Sequence, residues 1–72
     1  MEDYKLRMIK EYTELKERFT KLRIMLKKWD EGTLDFTPSC PRKVLDQQFR
    51  VMYEYLLVLQ LRAALEDVEL PE

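Results

Sequence analysis

Seventy-two residues with a formal net charge of −1, one cysteine and no histidine make one small domain at most. A core of that size supplies only ~3–5 kcal/mol, so folding draws on a further source of burial. A disulfide within the chain is excluded and a four-ligand zinc site lacks its donors, which leaves self-association as that source.

Apolar residues make up 46% of the chain and charged residues 38%, a balance that suits exposed helices. One glycine and three prolines leave too little turn-forming material for a multi-stranded sheet. The near-zero charge gives no global attraction to DNA, RNA or anionic lipid. The distribution is uneven, however: residues 1–28 carry nine Lys/Arg against five Asp/Glu, whereas residues 63–72 carry only the acids Glu66, Asp67, Glu69 and Glu72. The opening MEDYKLRM lacks the long apolar run of a signal peptide. The strongest apolar stretch, VMYEYLLVLQL, is broken by Glu54 and Gln60 and falls short of the ~20 residues of a membrane span. The expectation is a cytoplasmic protein with no membrane partner, its lone Cys40 suited to a reducing compartment.

In chain order, Met8, Tyr12, Leu15, Phe19, Leu22, Leu26 and Trp29 are spaced alternately by four and three, a heptad seam on one side of a helix. Glu2 and Asp3 at its start and Lys27 and Lys28 at its end complement the helix dipole. Glu14 with Arg18 and Glu17 with Lys21 are i,i+4 pairs in the favourable order. The spacing predicts a helix over about 3–29, ended by Gly32 in the left-handed conformation. Residues 30–42 hold the glycine and two prolines and form the loop, with Pro41 in the first turn of the next helix and Ser39 or Cys40 as its cap. Leu34 and Phe36 are expected to fold back and close the hairpin's end. A second seam, Leu45, Phe49, Met52, Leu56, Leu59 and Ala63, predicts a helix over about 42–66. Run antiparallel, the two seams pair Leu26 and Trp29 with Leu45, Leu22 with Phe49, Phe19 with Met52, Leu15 with Leu56, and Tyr12 with Leu59. The fold class is therefore all-α, a single two-helix hairpin spanning 1–72, with residues 67–72 as a frayed tail.

One partner helix needs only one stripe, and the second helix offers more. Val51, Tyr55 and Val58 lie on one flank of its seam, Tyr53, Leu57 and Leu61 on the other. A helix apolar nearly all round is a buried helix, so these six residues are expected at an interface between copies in a helical homo-oligomer. A different protein on the same flanks is the alternative.

Catalysis is not expected. Without histidine no Ser/His or Cys/His pair exists, the carboxylates lie in salt-bridge register with lysines and arginines, and no cofactor or metal motif is present. Binding is another matter. Arg7, Arg18 and Lys21 share a flank of the first seam, Tyr4 stands one turn before Arg7, and Thr20 lies between Arg18 and Lys21 in the chain. One reading makes these surface ion pairs and a terminal packing residue. The other makes them, across neighbouring copies, a site for a flat anionic ligand such as a nucleotide. The residues leave both open.

The run Tyr4-x-x-Arg7-Met8-Ile9-x-Glu11-x-x-x-Leu15-x-x-Arg18-Phe19-x-Lys21-Leu22, a loop, and then Leu45-x-x-Gln48-x-x-x-Met52-x-x-Tyr55-x-x-x-Leu59 resembles a family of small phage hairpin proteins. That family includes the anti-CBASS and anti-Thoeris cyclic-nucleotide sponges. The resemblance spans roughly residues 4–66 and implies a homo-oligomer, a hexamer in known sponges, that sequesters cyclic nucleotide messengers of antiphage defence in the infected host's cytoplasm. It further implies that Tyr4 stacks on a base and that Arg18 and Thr20 hold phosphates, with Lys21 and Arg7 as weaker matches. A structural or adaptor hairpin that binds another protein through its apolar flanks is the contrasting function.

Overall fold

The computed structural model describes residues 3–71; the charge expected of Glu2 at the helix start and the terminal Glu72 lie outside the described residues. Two helices, α1 (Asp3–Glu31) and α2 (Arg42–Leu65), pack against each other, and there is no strand among the described residues. The hairpin is a rod of about 45 × 18 × 17 Å. Among the described residues no helix is long and apolar enough to cross a membrane.

α1 is uninterrupted because nothing in it breaks a helix, and the pairs Glu14–Arg18 at 3.9 Å and Glu17–Lys21 at 3.1 Å brace its exposed side. It stops at Gly32, whose φ of 73° lets the chain turn back. The Gly32 amide then donates to the Trp29 carbonyl at 3.1 Å and the Thr33 amide to the Lys28 carbonyl at 2.9 Å, which satisfies the terminal carbonyls.

The start of α2 differs from expectation. Pro41 is itself the cap residue, φ −58° and ψ 141°, and no side chain of Ser39 or Cys40 caps the helix. The Pro41 carbonyl instead accepts from the amides of Val44 and Leu45, at 3.0 and 3.3 Å. This leaves a helix N-terminus that begins with two cations, Arg42 and Lys43, against the dipole. Arg42 resolves part of the conflict by clamping the hairpin. Its guanidinium donates to both Asp30 carboxylate oxygens, at 2.7 and 3.3 Å, and through Nε to Asp46 at 2.7 Å. It also lies 5.3 Å over the Trp29 ring. The end of α1 is thereby tied to the start of α2.

The antiparallel register follows the two seams. Tyr12, Leu15, Leu56 and Leu59 form the central core, with Phe19 and Met52 packed on it, and Leu59 is fully buried. Phe19 is half-buried, and its ring stacks on Phe49 at 4.7 Å and reaches Tyr53 at 6.1 Å. Phe49, expected opposite Leu22, thus meets Phe19, because aromatic rings span more than one layer of a seam.

Residues 67–70 of the tail are not frayed. After Leu65 the Val68 amide donates to the Ala63 carbonyl at 2.8 Å, with Asp67 in the left-handed region at φ 56°. This is the same helix-ending turn that Gly32 makes, built here on an aspartate, one of the few other residues that adopt it readily. The reversal carries Val68 onto Met8 and Ala63, and Leu70 onto both core clusters. Two apolar residues in a short polar segment were enough to anchor it.

A single hairpin leaves Val51, Tyr53, Tyr55, Leu57, Val58 and Leu61 between 41% and 60% exposed. Its accessible surface of 5692 Å² exceeds the roughly 4,800 Å² of a compact monomer this size.

Leu59→Ala should destabilise the fold by about 2–5 kcal/mol, whereas Leu65→Ala at an exposed position should cost under about 0.5 kcal/mol; urea melts followed by circular dichroism test the contrast. The Arg42 guanidinium holds the Asp30 carboxyl below its ordinary value. Because the folded value is the lower one, the clamp contributes fully above the unfolded value of about 4 and its contribution fades as pH falls toward the lowered value. Asp30→Asn should therefore lower the Tm at pH 7 and match the parent in strong acid.

Candidate functional site

α1 turns one flank toward the open end of the hairpin, and there the flank forms the near wall of a shallow groove. Tyr4, Arg7, Glu11, Glu14 and Arg18 recur every three or four residues along α1, so they line one side of it. Met8 and Lys10 complete that wall, and Arg62 reaches in from α2; the space enclosed is about 630 Å³.

Four cations and two carboxylates face this space, a local charge of +2. The acids are engaged. The Tyr55 hydroxyl donates to the Glu11 carboxylate across the two helices, and Arg18 Nη1 lies 3.9 Å from Glu14. That bond raises the Tyr55 phenol above its ordinary value, aided by lost solvation, while the Arg62 charge nearby works the other way. Among the described residues Arg7 and Lys10 make no ion pair. Tyr4, 40% exposed, stands at the groove's end. Exposed pairs of the Glu14–Arg18 kind contribute ~0–1 kcal/mol, so an anion that binds Arg18 better displaces Glu14 at little cost.

The five residues singled out from sequence do not converge within one chain. Tyr4, Arg7 and Arg18 share the groove. Thr20 lies roughly 200° around the helix from Arg18 and lines a different hollow of about 390 Å³, with Tyr12, Thr13, Lys16, Glu17, Lys21 and Pro71. Lys21 pairs there with Glu17 at 3.1 Å. Adjacency in the chain put Thr20 next to Arg18, and helical geometry separates them. This second hollow exists because the tail folds back, so its far wall was invisible while the tail was expected to fray.

Two of the residues expected at an interface also have partners inside the hairpin. Tyr53 meets the Phe19 ring, and Tyr55 spends its hydroxyl on Glu11. Lys10 and Arg62 went unnoticed in the sequence. The antiparallel register does contain the signal for Arg62, since it stands two turns after Tyr55 and one residue before Ala63, the partner of Met8.

The groove thus sets Arg7, Arg18 and Arg62 along one hollow with Tyr4 at its end, on a hairpin with surplus apolar surface. The chain belongs to the Sequestin family, whose model matches residues 2–65. That membership agrees with the resemblance to sponge-type hairpins read from the residues. Neither curated proteins nor solved structures give a match to this chain.

Proposed function

We propose that this protein is a phage-encoded, non-enzymatic sponge that sequesters cyclic nucleotide messengers of bacterial antiphage defence. The groove that sets Tyr4, Arg7 and Arg18 along one flank of α1, in a member of the Sequestin family, carries this reading. A tyrosine face stacks on a base, and guanidinium groups grip phosphate oxygens through paired charge-assisted hydrogen bonds. Thr20 lies on the far side of α1 from Arg18, so it reaches the same ligand only from a neighbouring copy, and Lys21 lines the hollow beside Thr20, where it pairs with Glu17. A site shared between protomers needs that arrangement, and the exposed face of α2 supplies the surface on which copies associate. Sequestration then works by mass action: an abundant, tight binder lowers free messenger without cleaving it. No turnover is expected of a chain without histidine whose groove carboxylates are engaged by Tyr55 and Arg18. The cytoplasm of the infected cell is where such a ligand would be met.

The same α2 face favours a second reading, an adaptor hairpin that docks another protein. A small anionic ligand separates the two.

A panel of cyclic dinucleotides, cyclic trinucleotides and cyclic ADP-ribose isomers should contain at least one member that raises the Tm and is recovered intact after denaturation. Arg18→Ala should weaken its binding by about ten- to a hundredfold and Tyr4→Ala should weaken it through lost stacking, both without altering the assembly. No shift from any member at millimolar concentration would leave only the adaptor. Separately, Leu57→Glu should dissociate the oligomer, because a charge cannot be buried unpaired; light scattering that gives the same mass for parent and variant would remove Leu57 from the interface.

A further inference from the structure

Among the described residues Arg62 is the one member of the groove that α2 provides. Its level is set by the core: Met8 packs with Ala63 and the helices run antiparallel, so Arg7 and Arg62, one residue before each, stand within about 3 Å of the same height along the hairpin. Arg18 stands elsewhere. At 1.5 Å per residue it lies roughly 16 Å along α1 from Arg7, too far for one phosphate to bridge the two. A single phosphate at the open end of the hairpin therefore has Arg7 on one side and Arg62 on the other.

Arg62 is not needed to hold the helices together. Its one ion pair is local, Nε to the Glu66 carboxylate at 3.5 Å, with half of the Arg62 side chain and about a third of Glu66 exposed. That distance is long for a charge-assisted bond, and Nε is the guanidinium nitrogen left over when the two terminal nitrogens engage an anion. Glu66 caps α2 through its backbone amide, which donates to the Arg62 carbonyl at 2.9 Å, so its carboxylate has no capping task.

We propose that Arg62 is a ligand-contacting residue, gripping one phosphate jointly with Arg7 while Arg18 takes a second, and that Glu66 is a built-in competitor for the Arg62 guanidinium. The assignment rests on the sponge reading and adds three things to it: a contact from α2, a preference for ligands with two separated phosphates, and an internal carboxylate that lowers affinity.

The test is calorimetric titration of the parent, Arg62→Ala, Glu66→Gln and the double variant with 3′,3′-cyclic GMP–AMP, a cyclic triadenylate and a cyclic ADP-ribose. For each member that binds the parent, Arg62→Ala should weaken binding about ten- to a hundredfold and Glu66→Gln should tighten it several-fold. The Glu66→Gln gain should vanish in the double variant, which separates relief of the Arg62 contact from a general loss of negative charge. Parent-like binding by Arg62→Ala, or a Glu66→Gln gain that persists without Arg62, overturns the assignment and leaves the sponge intact. If Arg62→Ala does not fold, Glu66→Gln decides alone: tightened binding supports the competitor role, and unchanged or weaker binding refutes it. A parent that binds none of the three, or any other member of the wider panel, removes the sponge reading and this assignment together.

Discussion

Two helices have one line of contact between them, and that limit shapes the rest of this molecule. Among the described residues Leu59 alone is fully buried, although nearly half of the chain is apolar. Burial contributes near 25 cal/mol per Å², and here each helix covers only a stripe of the other. The fold responds at both ends. The tail returns Val68 and Leu70 to cover Met8 and Tyr12, and Arg42 locks the loop with bonds to Asp30 and Asp46. What neither device reaches is the outer face of α2, which stays exposed on the single hairpin.

The same contact line creates the groove. Nothing in α1 by itself makes a concave surface, since Tyr4, Arg7 and Arg18 lie along a convex helix. Concavity appears where α2 runs beside that flank, and the register fixed by Leu15 with Leu56 and Met8 with Ala63 decides which α2 side chains face it. A slip of one turn would replace Arg62 by Val58 and turn a basic wall into an apolar one. Core packing is thus the origin of the groove's electrostatics, and the Tyr55–Glu11 bond across the helices fixes one of its acids in place.

The seams were legible in the sequence because a heptad spacing has one structural meaning over so many turns, and both helices and their antiparallel order followed from it. Local chemistry was harder. Ser39 and Cys40 are sound caps by residue type, yet Pro41 took the position because its own fixed φ suits the entry to a helix and its carbonyl needs no side chain. The tail was misread because Asp67 stands where glycine is usual, which hid a helix-ending turn. Arg62 is not legible from α1 alone, because it joins the groove from α2 and a hairpin's sites lie between its two helices. Thr20 erred the other way: nearness in the chain places residues two apart on nearly opposite sides of a helix.

The groove sits at the open end of the hairpin, and this position sets the chain entropy that its closure costs. Contacts beside the loop join residues close in the chain, as Asp30 and Arg42 do, while Met8 and Ala63 close nearly the whole chain into one loop. Closure entropy grows with that length, so contacts beside the clamp cost less chain entropy to form than those at the open end. In the native state it is held by the buried Met8, Ala63 and Val68, with Ile9 and Leu70 packed on them. A ligand bound across Arg7 and Arg62 would tie together the two ends of the chain, so occupancy would be read out as slowed amide exchange in the first turns of α1 and the last turns of α2, far from the loop.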